Sequence, residues 1–496
     1  MGRENLKYLF EPETIAMIGA SNNFAKWGFI ILHNLVMGKY QGKIYPVNPK
    51  EKEILGHPCY PSVKDIPGEV DQAMLLIPAR EVPKAVAECA EKKVKAIVVI
   101  SAGFSELGEE GERLQKQMTE TAMRAGIPLV GPNGQGVAFP KSQFYPWMPL
   151  YFPKPGKVAI LSQSGNLLTW LAEGLEIFGF GISRGVSVGN MADLDWADYL
   201  WYLADDPETK VILLYIEGVR DGRAFREAAS EVSLKKPIVA LKAGRTNAGV
   251  QAAKSHTGAM KGEDLIFSAL CEQTGMIRVR SMEEAVMVSA GLVATPSPKG
   301  KRVGILTGGG GLGVMAADEC LEQDLEVPAL SPQTSSELGL ILPPWWAPGN
   351  PVDLVAGIGY AGPKEVIPIL IDSQDFDSLI LIGLGWVHGM PDLSKLSPLA
   401  SKFDFQKMTE DRKTGDLKYC RKIRDLIQKN NYPIILVSTH ARRAIDKNFG
   451  SLIELLLNEV MLYPSIESAV RFLSLFTKYQ QWKSGRKNEL GSDLDF

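Results

Sequence analysis

Thr14-Ile15-Ala16-Met17-Ile18-Gly19-Ala20-Ser21 sets the pattern for the chain. A short apolar run ends in glycine and small residues. An unbroken run of this length, bounded by turn formers, reads as a strand buried on both faces. Four further segments in the first 140 residues read the same way: Lys43 to Asn48, Gln72 to Pro78, Ala96 to Ala102 and Pro128 to Asn133. With Thr14 to Ala20 they make five strands, and helical patterns lie between them. Strands that alternate with helices imply a parallel sheet with right-handed crossovers. Ligands on such a sheet bind at the carboxyl ends of its strands.

The pattern recurs twice. A Pro- and aromatic-rich stretch, residues 141–156, reads as a linker. A second α/β unit, 157–293, has strands at Lys157 to Leu161, Val211 to Ile216 and Pro237 to Lys242. Ala294-Thr295-Pro296-Ser297-Pro298-Lys299-Gly300 is a second linker. The third unit, 301–480, opens with strand Arg302 to Thr307 and a glycine-rich turn, Gly308 to Gly313. It has further strands at Ser378 to Gly383 and Pro433 to Ser438. Residues 391 to 417 read as a polar, irregular, exposed excursion, and the tail 481–496 is expected to fray. The fold class is α/β, in three consecutive domains.

Bulk properties narrow the function. At 496 residues the chain is long enough for about three domains. A net charge of −3 gives no reason to expect nucleic acid or an anionic membrane surface as a partner. No run of ~18 apolar residues would span a bilayer, and the start, Met1-Gly2-Arg3-Glu4-Asn5, lacks the apolar core of a signal peptide. Cys59, Cys89, Cys271, Cys320 and Cys420 are scattered without CxxC spacing. That argues against a disulfide framework or a zinc site and for a reducing, cytoplasmic setting. His33, His57, His388 and His440 lack metal-ligand spacing.

Four segments carry chemistry. After the first strand, Gly19-Ala20-Ser21 and then Lys26-Trp27-Gly28 could let a helix N-terminus approach a phosphate, or could simply make a tight turn. The GxGxxG dinucleotide fingerprint and its acidic partner are absent. Strand two ends in Asn48-Pro49-Lys50, where a lysine suits a phosphate and not a ribose diol, so nicotinamide chemistry is disfavoured. Ser162-Gln163-Ser164-Gly165-Asn166 joins a strand to an amphipathic helix. It makes either an ordinary cap or an anion site. Glu217 ends the strand Val211 to Ile216. By itself it is a strand-end acid, and it could also accept an imidazole Nδ1–H. His256, in Ser255-His256-Thr257-Gly258-Ala259-Met260, sits among small, flexible residues. It is either a surface histidine or one that meets more than one partner. Asp193 and Asp195 suit helix capping, and their role is left open. Gly308 to Gly313 lacks the Lys-Ser/Thr of a Walker loop and reads as a close strand-to-helix turn.

Together these segments resemble the α subunit of ADP-forming acyl-CoA synthetases, relatives of the α subunit of succinyl-CoA synthetase. The matching residues are Ile18-Gly19-Ala20-Ser21, Pro46 to Lys50, Ile100 to Phe104, Gly131-Pro132-Asn133, Leu161 to Gly165, Tyr215 to Gly218 and the His256 loop. The resemblance implies a Rossmann-like first domain that binds coenzyme A, followed by two flavodoxin-like α/β domains. Gly19, Ser21, Lys26, Lys50, Pro78, Ser101, Ala102, Gly103 and Asn133 would lie near the coenzyme. Ser162, Gln163, Ser164, Gly165 and Asn166 would hold phosphate. His256 would be phosphorylated, with Glu217 as its partner. ADP/ATP and Mg²⁺ would sit on a separate ATP-grasp β subunit in an α2β2 assembly. One departure is Gly134, where relatives carry cysteine after Gly-Pro-Asn. The rival readings are a non-catalytic acyl-CoA-binding or regulatory module and a nicotinamide oxidoreductase.

Overall fold

A computed structural model describes residues 3–246, 248–249, 264–354 and 362–490. The chain forms two compact units, Met1–Glu176 with Gly181–Ser289 and Ile177–Phe180 with Ala290–Phe496.

The first unit contains two sheets. In the first sheet lie β1 (Thr14–Ile18) and β2 (Lys43–Val47). A small hairpin follows, β3 (Glu53–Ile54) and β4 (His57–Pro58). The first sheet resumes with β5 (Gln72–Leu75), β6 (Ala96–Val99) and β7 (Leu129–Val130). Its order is β2-β1-β5-β6-β7, parallel throughout. Helices α1 (Trp27–Met37), α2 (Val82–Lys92) and α3 (Glu109–Ala125) make the crossovers. Every residue of β5 and β6 is buried, as strands covered by helices on both faces require.

The second sheet takes β8 (Gly136–Ala138), β9 (Pro155–Ser162), β10 (Ile182–Ser187), β11 (Val211–Ile216), β12 (Ile238–Lys242) and β13 (Ile277–Val279). Its order is β13-β12-β11-β9-β10-β8, parallel except for β8. Helices α4 (Gly165–Ile177), α5 (Trp196–Asp205) and α6 (Gly222–Lys235) connect these strands. Each sheet reverses its winding once, between β1 and β5 in the first and between β9 and β11 in the second. Those two reversals are where open α/β sheets place their ligands.

The aromatic stretch after β8 differs from the expected linker. Phe144 and Trp147 are fully buried. The side chain of Asn34, on α1, donates to the carbonyls of Trp147 and Pro149, both at 2.8 Å. The Trp147 indole donates to Tyr151 O at 3.0 Å. The apolar rings outweigh the prolines, and the stretch packs as part of the core. A buried cation also stabilises this unit. Arg184 of β10 is 2% exposed and donates to Asp206 Oδ1 at 3.1 Å and Glu11 Oε1 at 2.7 Å. Its guanidinium lies 3.5 Å over the centre of the Phe139 ring.

The second unit holds a five-stranded parallel sheet: β14 (Val303–Thr307), β15 (Val352–Asp353), β16 (Ser378–Ile382), β17 (Ile434–Val437) and β18 (Leu462–Tyr463), in the order β15-β14-β16-β17-β18. Two expectations are corrected here. About half of the supposed excursion 391–417 is helical, because a 26-residue helix, Phe405–Asn430, begins inside it. Asp404 caps it by accepting the Lys407 N–H at 2.9 Å. Its buried face is Asp416, Cys420, Ile423, Leu426 and Ile427, mostly beyond residue 417, so the polar start concealed the helix. The tail is likewise helical to residue 490, because helix Ile466–Leu490 is anchored by buried Phe472, Phe476 and Tyr479. His388 is a satisfied core histidine. Its Nε2 lies 2.7 Å from Ser451 Oγ, and that hydroxyl donates to Asp416. Burial, followed by His440 and Lys413, pushes the His388 pKa down to about 4.

Replacing Arg184 with Met should strand the buried Asp206 carboxylate. The expected cost is about 3 kcal/mol of unfolding free energy, the usual scale for one uncompensated buried charge. Urea titration followed by tryptophan fluorescence would measure it, and an unchanged midpoint would show that the pair contributes nothing.

Candidate active site

Register builds the site. β9 pairs with β11 so that Ser162 lies opposite Tyr215. Gln163, one residue on, and Glu217, two residues beyond Tyr215, therefore emerge near each other at the carboxyl ends of the strands. The Gln163 amide oxygen accepts the N–H of Glu217 at 2.6 Å and of Gly218 at 3.0 Å. From the other side the Trp196 indole donates to Gly218 O at 3.0 Å. Glu217 is thus held at its backbone while its side chain, 8% exposed, lines a cleft. Tyr215 lies beside it: burial, then the Glu217 charge and a hydrogen bond to Glu217, push the phenol pKa up to about 12.

The serine-rich turn forms the opposite wall. Ser162 is fully buried; its hydroxyl donates to Ser164 O at 2.6 Å and accepts the Ser164 N–H at 3.2 Å. The first intrahelical bond of α4 runs from Leu168 N–H to Ser164 O. The amides of Gly165, Asn166 and Leu167 precede it, so the cleft meets a helix N-terminus with its positive partial charge. Gly165 lets Gln135 approach closely, since a Cβ there would sit 2.1 Å from Gln135 Cγ and displace that side chain. Gln135 in turn donates to Asn166 Oδ1 at 2.8 Å. In the second unit, Thr307 and Gly309 repeat the hydroxyl turn: Thr307 Oγ1 donates to Gly309 O and accepts the Gly309 N–H, both at 3.1 Å.

The first sheet supplies the remaining wall. Ser101 Oγ donates to Ile77 O at 2.5 Å, tying the ends of β5 and β6 together. The Asn133 N–H donates to Ser101 O at 2.9 Å. The amides of Gly103 and Phe104 donate to one oxygen of Glu106, at 2.7 and 3.1 Å, and Asn190 donates to the other at 2.6 Å. Burial acts to raise the Glu106 pKa, but the hydrogen bonds from Asn190, Gly103 and Phe104 hold the carboxyl below its ordinary value. The cleft between these walls has a volume of about 880 Å³.

The structure brings Ser101, Ala102, Asn133, Gln163, Ser164, Gly165, Asn166 and Glu217 around this one cavity. Ser162 lies beneath it as the turn's scaffold. Gly19, Ser21, Lys26, Lys50, Pro78 and Gly103 are not among the lining residues. Ser21 accepts the Asn23 N–H, and Asn48 donates to Ala20 O at 2.9 Å, bracing the turn after β1. His256 lies outside the described residues. Sequence reasoning missed Trp27, Gln135, Met148, Asn190 and Arg220, all of which line the cavity. The signal for Trp27 was present: an aromatic at a helix start directly after a phosphate-type turn.

Asp195 caps α5 by accepting the Trp196 N–H at 2.7 Å, and Asp193 accepts the Leu129 N–H at 2.9 Å. A side chain at Gly134 would place its Cβ 2.6 Å from Ser187 O, so this backbone is fitted to glycine. Among the described residues no group of three His, Cys, Asp or Glu could hold a metal ion, and no helix is long and apolar enough to cross a membrane.

Comparison with known proteins agrees with this geometry. Residues 13–140 match a CoA binding domain, 155–292 a succinyl-CoA ligase like flavodoxin domain and 303–393 a ligase-CoA domain. The chain is 37% identical to the α subunit of acetate–CoA ligase (ADP-forming) I of Pyrococcus furiosus, over 98% of this chain and 100% of that one. It is 42% identical to the α subunit of isoenzyme II from the same organism, over 76% and 82% of the two chains. Among solved structures it resembles the dinucleotide forming acetyl-coenzyme A synthetase 1 of Ca. Korarchaeum cryptofilum in complex with phosphate and ADP. That TM-score is 0.84 at 30% identity, covering 98% of this chain and 99% of that one. The chain belongs to the family of ADP-forming acetate–CoA ligase α subunits.

Proposed function

We propose that the chain interconverts an acyl-CoA and phosphate with a carboxylic acid and coenzyme A, conserving the phosphoryl group for ATP synthesis. What carries this reading is the single cleft that joins the strand ends of the CoA-binding sheet, the α4 N-terminus and Glu217. Phosphate at the α4 amides attacks the thioester carbonyl and expels coenzyme A as its thiolate, leaving an acyl phosphate. The helix N-terminus stabilises the anionic phosphate without a lysine. His256 Nε2 then attacks phosphorus and releases the carboxylate. Glu217 accepts the Nδ1–H, fixes the tautomer and stabilises the developing imidazolium. Phospho-His256 delivers its phosphoryl group to ADP.

ADP, ATP and Mg²⁺ are assigned to a separate ATP-grasp β subunit, with α2β2 assembly in the cytoplasm. The working division of the chain is 1–140 for coenzyme A, 157–293 for the phosphohistidine and 301–480 for the third domain, with the packed aromatic segment 141–156 between the first two and a linker at 294–300. The α-subunit relatives favour this enzymatic reading over a non-catalytic acyl-CoA sensor.

A coupled assay for ATP from acetyl-CoA, phosphate and ADP tests the proposal. Activity should require both this chain and an ATP-grasp partner, and full synthesis by the purified chain alone would refute the division of labour. In the same assay Glu217→Gln keeps the side-chain shape and removes its charge. Turnover should fall on the order of 10²-fold or more, the scale of a positioned acid or base, while coenzyme A affinity measured by calorimetry stays near wild type. Undiminished turnover would remove Glu217 from the mechanism.

A further inference from the structure

Asn190 lies at the end of β10, yet its side chain reaches the loops of the other sheet. Its Nδ2 donates to Glu106 Oε2 at 2.6 Å and lies 3.2 Å from Ser105 Oγ and 3.1 Å from Gln115 Oε1. Its Oδ1 accepts Asn133 Nδ2 at 3.2 Å, and its backbone N–H donates to Pro132 O at 2.9 Å. Through Glu106 the same contact extends to the amides of Gly103 and Phe104. One amide side chain thus joins the loop after β6, the loop after β7 and the end of β10. Only a group that donates and accepts at once can occupy this point.

We propose that Asn190 is a positioning residue that clamps the coenzyme A-side loops, residues 101–107 and 131–135, to the phosphate-side sheet and so sets the approach of thioester to phosphate. This inference rests on the functional reading above, because the clamp matters to catalysis only if the two ligands share the cleft. Its physical content is a donor at position 190 facing an acceptor at position 106. An aspartate at 190 would place two carboxylates in hydrogen-bond contact, which cannot both ionise comfortably. They would accept each other only by sharing a proton. Glu112 of α3 also lines the cleft, but the balance at Glu106 is set by burial and hydrogen bonds, with no charge–charge contribution among the described residues.

The test uses the full chain and three variants: Asn190→Asp, Glu106→Gln and the double exchange. Coenzyme A binding is measured by calorimetry across a range of mildly alkaline to mildly acidic pH. Asn190→Asp should weaken binding about tenfold at alkaline pH, the scale of one charge-assisted hydrogen bond. It should recover as the solution is acidified and the pair takes up a proton, while the wild type changes little. The double exchange restores donor against acceptor with the polarity reversed, and should bind near wild type at alkaline pH. If Asn190→Asp alone fails to fold, a folded, binding double exchange still supports the clamp. Wild-type affinity in Asn190→Asp at alkaline pH, or no rescue by the double exchange, would overturn it while leaving the functional reading intact. Failure of the wild-type chain to bind coenzyme A would overturn the reading and the inference with it.

Discussion

The parallel pairing of β9 with β11 is the constraint from which the site follows. Because Ser162 is opposite Tyr215, the chain leaving β9 and the chain leaving β11 start side by side. One turns into α4 and presents first-turn amides that have no intrahelical acceptor; the other turns away and presents Glu217. A slip of one residue would bury what now faces the cleft, since strand side chains alternate in direction. Gln163 fixes the register locally by accepting both amides of the Glu217–Gly218 turn.

The polar groups around the cleft divide into those spent on structure and those left for ligands. Ser162, Ser101 and Asp195 are spent: each closes a turn, ties two strands or caps a helix. The Gly103 amide is spent on Glu106. The opening of α4 is different, because the geometry of a helix leaves its first amides without intrahelical acceptors. An anion there needs no neighbouring cation, which suits a reaction in which the phosphoryl group must leave again.

The longer buried strands were legible because burial on both faces writes a continuous apolar run, and Val211–Ile216 was placed to the residue, whereas β8, β10, β13, β15 and β18 were not read. Glu217 and Ser164 to Asn166 were legible because they sit next to such strands in sequence. Long-range contacts were not. Asn34 meets Trp147 across 113 residues, so nothing local distinguishes the buried aromatic stretch from a linker. Asn190 meets Glu106 across 84 residues, and its role appears only once the two sheets are built. Lys26 and Lys50 were chosen for charge, and neither is among the residues that line the cleft. The helix Phe405–Asn430 was missed because its apolar face begins near its middle, where the polar window ended.

Peptide-level mass analysis of the full chain, after incubation with acetyl-CoA and phosphate, tests the central claim most directly. The account predicts one phosphoryl group on the peptide containing His256, stable in alkali, lost in acid and absent from His256→Ala. A phosphoryl group on another residue, or its persistence in His256→Ala, would contradict the account.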